Sequence, residues 1–340
     1  MRLYFISEKN FVYLLKTLKK DYEVISPNRK SEYFWKVFDE EFVFNEYRAV
    51  NSIRQFFFPA KKTVGQYFNQ LQKEKKPYCI VGAKACDLFS LNIQDYVFLS
   101  QPQDLDYKLN RENNLIISGD CTDFKDVCFC VLLDILPYPV KFFDLNISPI
   151  DNGYIVEVGS EKGDKIIVEN EPLFKEAKEN HILEINDRRK KMIERLFSHL
   201  KAQNLPKKDS LYSLIKNNYQ ANVWQKEALK CVECGACIMN CPTCHCFLLF
   251  DSKLEKDYLR AISWDGCQYK NFTKVAGGAN PLKFRSYRLR NRYIKKFEFF
   301  YEKLNLYACT GCGRCIDSCI AKIDLREIFK ELSYSEVNLK

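Results

Sequence analysis

The sequence predicts a mixed α+β chain in two domains, an N-terminal α/β domain followed by a smaller, mainly α-helical domain. Its 340 residues exceed one typical domain, and 46% hydrophobic with 29% charged residues is the composition of a folded globular chain. Five cysteines lie before residue 230, and eleven lie after it. We therefore expect an N-terminal domain over residues 1–186, a helical linker over 187–230 and a C-terminal domain over 231–340.

Helical and strand patterns alternate in the N-terminal domain. Ser7 is suited to cap a helix over residues 8–20, where apolar residues recur at helical spacing. Buried strands are predicted at residues 22–25, 78–81 and 115–117. The last two of these strands run into loops that carry Cys86 and Cys121, and sites are commonly built on such loops.

A β-hairpin is predicted from residues 140–147 and 154–158. The turn between them, 148–153, ends in Asn152-Gly153, which adopts positive φ at little cost. We assign this hairpin a scaffolding role only.

Neither a membrane protein nor a secreted protein is indicated. The most apolar window, residues 127–140, is interrupted by Asp134 and Pro137, well short of the length that crosses a bilayer. The first residues combine acid and base with no cleavage site after them, so no signal peptide is evident. We expect a cytoplasmic chain without membrane insertion.

Two cysteine runs share the spacing Cys-x2-Cys-x2-Cys-x3-Cys and form an internal repeat. Small residues within each run let the backbone curl around inorganic sulfide, as in a ferredoxin. In two-cluster ferredoxins the fourth cysteine of each run ligates the other cluster. Two [4Fe-4S] clusters are therefore predicted, cluster 1 on Cys231, Cys234, Cys237 and Cys319, and cluster 2 on Cys309, Cys312, Cys315 and Cys241.

This spacing favours iron–sulfur clusters over structural zinc. Zinc modules usually leave a dozen or more residues between two cysteine pairs, whereas a third cysteine follows at once in both runs. Each cluster has one thiolate on each of its four irons, so no iron is open to a substrate. These cysteines therefore predict electron transfer, and no catalytic residue is assigned. The clusters are anionic, which makes the formal charge of +9 partly internal counter-charge and weak evidence for nucleic acid.

A long insert, residues 242–308, separates the two runs. It contains a basic run interleaved with aromatic residues over 283–297. We expect this run to form a positive surface that docks an acidic partner and raises the cluster potentials. Nucleic-acid binding and a merely solvated helix are the alternatives.

Eight cysteines remain outside the two runs. Cys79 lies in an apolar strand pattern and is interpreted as a small buried hydrophobic residue. A third, N-terminal cluster is predicted on Cys86, Cys121, Cys128 and Cys130, with unligated or zinc-bound thiols as the alternative. The insert contributes three further cysteines, Cys244, Cys246 and Cys267, one fewer than the four thiolates that bind a [4Fe-4S] cluster. They are either packing residues or uncertain ligands of a further site completed by His245, Asp265 or an exogenous ligand.

The chain resembles the beta subunits of sulfhydrogenases and the related iron–sulfur subunits of anaerobic sulfite reductases. The resemblance rests on CVECGACIMNCPTCHCF from Cys231, WDGCQ from Trp264, AGGANP from Ala276 and CTGCGRC from Cys309, and continues upstream in GAKACDL from Gly82. Three positions depart from the family pattern: Ile320 stands where proline is usual, Ala279 where histidine is, and Lys84 where arginine is common. None of these departures removes a thiolate.

The resemblance implies a relay of electrons between a flavoprotein subunit, which handles FAD and NAD(P)H, and a catalytic subunit. The catalytic subunit is a nickel-iron hydrogenase in one branch and a sirohaem sulfite reductase in the other. No G-x-G-x-x-G fingerprint occurs, so no flavin or nicotinamide site is visible in this chain. The predicted function is an electron-transfer subunit of a cytoplasmic multi-subunit oxidoreductase, not catalytic on its own. The alternatives are a reductase with an open-iron cluster at the insert cysteines, and a nucleic-acid-binding iron–sulfur protein.

Overall fold

The computed structural model describes residues 3–39, 41–66, 76–254 and 257–337. The chain divides into two compact units. Unit 1 comprises Met1–Phe58, Glu74–Leu200 and Thr310–Cys312, and unit 2 comprises Pro59–Lys73, Lys201–Cys309 and Gly313–Lys340. The mixed α/β architecture and the helical C-terminal region confirm the predicted fold class.

The strands of the described residues are β1 Leu3–Ile6, β2 Glu23–Asn28, β3 Phe34–Val37, β4 Lys61–Gln66, β5 Tyr78–Ala83, β6 Leu115–Gly119, β7 Leu145–Ile150, β8 Gly153–Val158, β9 Phe174–Glu176, β10 Phe247–Leu254 and β11 Asp257–Trp264. The predicted strands at 22–25, 78–81 and 115–117 are confirmed as β2, β5 and β6, each extending a little further.

The helices are α1 Glu8–Leu18, α2 Arg54–Phe57, α3 Ala85–Phe89, α4 Leu91–Leu99, α5 Leu105–Asn113, α6 Glu161–Glu169, α7 Glu179–Ala202, α8 Leu211–Asn217, α9 Val223–Lys230, α10 Ala236–Met239, α11 Arg285–Ile294, α12 Phe300–Leu304, α13 Arg314–Asp317 and α14 Leu325–Val337, with a π-helical segment at Lys295–Phe299. Among these helices of the described residues, none combines the length and the apolar composition needed to span a bilayer.

Unit 1 is built on an eight-stranded sheet with the order β3-β2-β5-β6-β7-β8-β1-β9. Strands β2, β5, β6 and β7 run parallel, and the outer pairings are antiparallel. Helix α1 starts where the Ser7 side chain accepts a hydrogen bond from the Asn10 N–H (3.3 Å), as the sequence predicts. Its apolar face joins the sheet core, which also contains the fully buried Cys79. The interpretation of Cys79 as a core residue is confirmed.

The predicted hairpin forms from β7 and β8, but its turn is tighter than expected. Residues 148–150 pair with 153–155, so only Asp151 and Asn152 make the turn, and Asn152 takes φ +67°. The first strand begins at Leu145 rather than near residue 140. Asp144 directly precedes this strand, and its carboxylate accepts a hydrogen bond from the backbone N–H of Ile116 (2.7 Å).

Unit 2 is mainly helical and packs around aromatic side chains. The rings of Phe297 and Phe329 meet edge-on with their centroids 5.0 Å apart, and the ring centroids of Trp224 and Tyr293 are 5.2 Å apart. Its small sheet has the order β10-β11-β4. Strands β10 and β11 come from the insert between the cysteine runs, and β4 comes from residues 61–66, a pairing that the sequence pattern did not indicate.

Gly163 in α6 tests the packing of unit 1. A Cβ atom there would lie 2.0 Å from the carbonyl oxygen of Asp144. Gly163→Ala is therefore expected to lower the free energy of unfolding by about 1–3 kcal/mol through overpacking. Thermal unfolding of the full chain, followed by circular dichroism, measures the effect. Gly277→Ala is the matched control, because a Cβ at Gly277 meets no atom within 4 Å. Equal melting temperatures for the two variants would contradict the packing assignment.

Candidate functional site

The two cysteine runs have the same backbone conformation. Glu233 and Gly311 hold equivalent positions, with φ of 58° and 61°, and Gly235 and Gly313 follow with φ of 74° and 69°. One turn of helix comes next in each run, α10 after Gly235 and α13 after Gly313. The repeat seen in the spacing is therefore also a repeat of the backbone. Such loops require residues that tolerate left-handed φ, as glycine does.

The predicted ligands of cluster 1 meet at one cavity in unit 2. Its lining includes Cys231, Cys234, Cys237, Cys315 and Cys319 together with Leu289, Ile323 and Leu325. Two backbone N–H groups donate to sulfur there, that of Glu233 to Cys231 Sγ (3.4 Å) and that of Ile323 to Cys319 Sγ (3.3 Å). Thiol donors, N–H···S hydrogen bonds and apolar walls are what an anionic iron–sulfur cluster needs, so the residues present fit one.

The predicted ligands of cluster 2 are divided between the units. Cys241, Cys309 and Cys315 belong to unit 2, and Cys312 belongs to unit 1. In unit 2 the Lys296 ammonium donates to Cys241 Sγ (3.3 Å) and to the carbonyl oxygen of Ala308 (3.0 Å), directly before Cys309. In unit 1 Arg48 Nε donates to the carbonyl oxygen of Cys312 (2.6 Å). Each part of the set thus has a buried cation fixing its backbone or its sulfur.

Two buried cations lie beside the cysteines of unit 2. Arg292 and Lys296 are 7% and 8% exposed. A hydrogen bond with Cys244 lowers the pKa of Cys241 well below its ordinary value, and Lys296 adds to this against the opposing effect of burial. Burial alone would lower the pKa of Lys296, but its electrostatic interactions, that with Cys241 foremost and that with Cys244 next, outweigh burial and raise that pKa. The site therefore favours thiolate paired with ammonium at this position.

At Cys237 the effect of burial on the pKa outweighs the effect of the neighbouring cation. Burial raises the pKa of its thiol to about 12, although Arg292 acts against the rise. A thiol in this setting stays protonated at neutral pH unless a bound metal displaces the proton.

Arg288 fixes the loop that carries the first cysteines. Its guanidinium donates to Glu233 Oε1 (2.5 Å), to the carbonyl of Gln268 (3.2 Å) and to the carbonyls of Leu282 (2.9 Å) and Lys283 (2.8 Å). Glu233 lies between Cys231 and Cys234, and Gln268 follows Cys267. One side chain thereby joins three loops of the site.

Most of the basic side chains in the run 283–297 are buried and do not form an exposed surface. The expectation that this run forms a positive docking surface is therefore wrong. Four of its seven basic side chains are buried, namely Arg288, Arg290, Arg292 and Lys296. Lys283 and Arg285 remain exposed. Leu289, Tyr293 and Phe297 are buried at the same helical spacing as Arg292 and Lys296. That shared stripe was the sequence signal that the two cations face inward.

The insert cysteines are brought together by the β10–β11 hairpin. Strand β10 begins directly after Cys246, β11 ends shortly before Cys267, and the Asp265 N–H donates to the carbonyl of Cys246 (3.3 Å). One cavity is lined by Cys244, His245, Cys246 and Cys267 together with Lys296. Asp265 instead accepts from the backbone N–H of Gly266 (2.7 Å). The uncertain ligands are thus neighbours.

Two of the four N-terminal cysteines follow the carboxyl ends of β5 and β6. Cys86 lies in α3 after β5, and Cys121 follows β6. Burial raises the pKa of Cys121 to about 12, with Lys84 opposing and Cys128 reinforcing the rise. Burial likewise raises the pKa of Cys130, and Cys128 and Cys121 act in the same direction. The thiols are therefore electrostatic neighbours.

No three or more histidine, cysteine, aspartate or glutamate side chains in the described part of the chain converge on a point suited to a single metal ion. A cubane, by contrast, binds its four thiolates through four different iron atoms.

Two comparisons with known proteins identify the family. Residues 230–323 match the model of a 4Fe-4S dicluster domain. Sulfhydrogenase 2 subunit beta of Pyrococcus furiosus is 31% identical over 256 residues, which cover 75% of this chain and 74% of the relative. The chain belongs to the sulfhydrogenase beta-subunit family. This confirms the resemblance found in the sequence. The dicluster match spans both cysteine runs and the insert of this beta-subunit homologue.

The Arg288 contacts generate a stability prediction for this beta-subunit homologue. Arg288→Met removes the buried partner of Glu233 and leaves backbone carbonyls without their donor. Glu233 keeps Arg285 as a second partner (3.1 Å), so the expected cost is mainly that of the buried carbonyls left without a donor, about 1–3 kcal/mol of unfolding free energy. Urea unfolding of the full chain under anaerobic conditions measures it. Arg260→Met is the matched control, because the Arg260–Asp251 pair is about half exposed, and it should cost below about 1 kcal/mol. A larger loss in the control would contradict the assignment.

Proposed function

We propose that the chain is the iron–sulfur electron-transfer subunit of a hydrogenase-type oxidoreductase complex. The observation that carries this proposal is the pair of cysteine runs with matching left-handed residues, each followed by one turn of helix. A chain that wraps two like clusters in this way supplies a path for single electrons.

We further propose the ligand sets that the ferredoxin spacing predicts. Cluster 1 is held by Cys231, Cys234, Cys237 and Cys319, and cluster 2 by Cys309, Cys312, Cys315 and Cys241. Cys231, Cys234, Cys237 and Cys319 line one cavity, which supports the first set, and Cys315 of the second set lines the same cavity. The shared Lys296 contact of Cys241 and the Ala308 carbonyl supports the second.

The chain's own residues prepare the site for negative charge. Backbone N–H groups donate to sulfur at Cys231 and Cys319, and Lys296 donates to Cys241. Arg292 carries a second buried positive charge, which acts on Cys315 and Cys237. Such donors and charges raise the reduction potential of a cluster, because they stabilise the more negative reduced form.

The proposed partners are a flavoprotein subunit that handles FAD and NAD(P)H, and a separate catalytic subunit. The name of the relative, a sulfhydrogenase subunit, favours a hydrogenase over a sirohaem sulfite reductase as the catalytic partner. We propose that chemistry on substrates takes place in those partners and not in this chain. The division into residues 1–186, 187–230 and 231–340 stays a prediction.

A second candidate function rests on the insert cavity. Cys244, Cys246, Cys267 and His245 line one space beside Lys296, and an iron–sulfur cluster held there by three thiolates would leave one iron open to substrate. In that case the chain itself would reduce a substrate. Removal of single cysteine ligands, combined with a turnover assay, separates the two proposals.

Removing one ligand from each set tests the relay. Anaerobically reconstituted Cys319→Ser and Cys241→Ser variants are each expected to lose the signal of a different cluster in electron paramagnetic resonance after dithionite reduction. Each should also lose about four iron atoms per chain. Cys79→Ala, in the sheet core, is the control and should keep all its iron.

Three results would count against this assignment. Zinc in place of iron, or loss of the same signal in both variants, contradicts the proposed ligand sets. Turnover of a substrate by the isolated chain with an artificial electron donor, together with iron lost from Cys246→Ala, favours the second candidate.

Lys296 provides a prediction on the reduction potential. Lys296→Met removes a positive charge beside Cys241, so the potential of cluster 2 should fall. A unit charge at roughly 6 Å in an effective dielectric of about 20 is worth about 3 kcal/mol, or on the order of 100 mV for one electron. Potentiometric titration followed by electron paramagnetic resonance measures the shift.

Two matched variants control this measurement. Lys296→Arg keeps the charge and should restore most of the potential. Lys283→Met removes an exposed lysine and should change it little. An unchanged potential in Lys296→Met would show that this lysine does not act on a cluster.

A further inference from the structure

A fully buried cation lies at the carboxyl edge of the unit 1 sheet. Lys84 is 0% exposed, and its ammonium donates to the carbonyl oxygens of Phe44 (2.6 Å) and Asp120 (2.9 Å). These acceptors are neutral, so they satisfy N–H groups without balancing the charge. An isolated buried charge is costly unless an anion lies near it.

Two carboxylates near Lys84, those of Asp120 and Asp87, also accept hydrogen bonds from other groups. The Asp120 carboxylate accepts from Arg189 (2.7 Å) and from Ser148 (2.9 Å). Asp87 Oδ2 accepts from the backbone N–H of Lys84 (3.5 Å) at the start of α3. Two thiols, those of Cys121 and Cys86, lie within electrostatic reach of the Lys84 ammonium together with these two carboxylates.

Four cysteines lie near one another on three segments of unit 1. Cys86 and Cys121 come from the ends of neighbouring parallel strands, with Ala83 of β5 beside Ser118 of β6. Cys121 and Cys130 pack against the same apolar cluster of Val131, Met192 and Leu196. Cys128 is two residues from Cys130 and is an electrostatic neighbour of both Cys130 and Cys121.

We propose that Cys86, Cys121, Cys128 and Cys130 bind a third [4Fe-4S] cluster and that Lys84 is its buried counter-charge. Four thiolates are the full protein ligand set of a cubane. With a net negative cluster in place, the Lys84 ammonium gains an anion in addition to the Asp120 and Asp87 carboxylates. Lys84 then acts in unit 1 as Lys296 does beside Cys241 in unit 2.

The third site lies against the segment that carries Cys312. Within unit 1, the Phe129 N–H donates to the Gly311 carbonyl (2.8 Å), and a Cβ at Gly311 would lie 2.5 Å from Cys130 Cα. Only glycine allows this approach, and Gly311 also has φ +61°. The thiols of Cys130 and Cys312 are electrostatic neighbours as well.

This contact gives the third cluster a defined exchange partner. Cys312 is a proposed ligand of cluster 2, so one electron leaving the third cluster reduces cluster 2 by one electron, or the reverse. This part of the inference rests on the proposed relay. The existence of the third site does not.

The full chain, reconstituted anaerobically with iron and sulfide, tests the inference. Wild type is expected to bind about twelve iron atoms and Cys128→Ala about eight, with the signals of clusters 1 and 2 retained. Cys79→Ala, a buried cysteine outside the set, should stay at the wild-type value. Lys84→Met should lower the reduction potential of the third cluster or abolish its resonance, whereas Lys84→Arg should retain the resonance.

The number of iron atoms bound by the wild-type chain tests the third cluster even where a variant does not fold. About eight iron atoms in wild type, with both ferredoxin-type signals present, would overturn the third site and leave the relay intact. Zinc bound at the four cysteines would overturn it as well. Failure of the relay gives a different pattern, in which the Cys319→Ser and Cys241→Ser variants keep the iron of wild type.

The proposed exchange has its own readout. With the third cluster and cluster 2 both reduced, magnetic coupling should broaden or split their resonances, and Cys128→Ala should remove that coupling. Two reduced clusters with uncoupled signals would overturn the exchange between them.

Discussion

Buried positive charge opposite sulfur is the constraint on which both units depend. An iron–sulfur cluster with its thiolates is anionic, and removing it from water is costly unless cations and N–H donors compensate. In unit 2 the buried Lys296 donates to Cys241 Sγ and Arg292 is buried near the same cysteines, and in unit 1 the buried Lys84 lies near the cysteines of the proposed third site. Each cation is also held by its own hydrogen bonds or packing, so its charge stays where the cysteines are.

The insert between the cysteine runs supplies much of this compensation. Its helix α11 places Arg288 on the loop of the first run, and the π-helical segment that continues it places Lys296 beside Cys241. The carbonyl of Lys296 accepts from the Ala308 N–H (2.9 Å), just before the second run. A π-helical segment changes which side chains face inward, and such segments are frequent at functional sites. The specialisation of this domain therefore lies in supporting the clusters from inside the fold.

Much of the site was predictable from spacing. The equal intervals in the two cysteine runs predict two like loops, because thiolates must follow each other closely to hold one cubane. The φ angles of Gly235 and Gly313 agree with that prediction. The ends of β5 and β6 were likewise predictable, since Cys86 and Cys121 follow apolar strands that pair in parallel. The docking surface over 283–297 was wrong because charge was taken as a sign of exposure, although Arg292 and Lys296 share a stripe with Tyr293 and Phe297.

The sequence by itself determined the mixed α/β class, the internal cysteine repeat and the family, because strand periodicity and ligand spacing are local properties of the chain. Only the tertiary structure decided which cations are buried, that β4 joins the hairpin of the insert, and that Phe129 and Cys130 lie against Gly311. These pairings join residues that are remote in the chain, and they arise from packing and from the need to compensate buried charge, which no local pattern encodes.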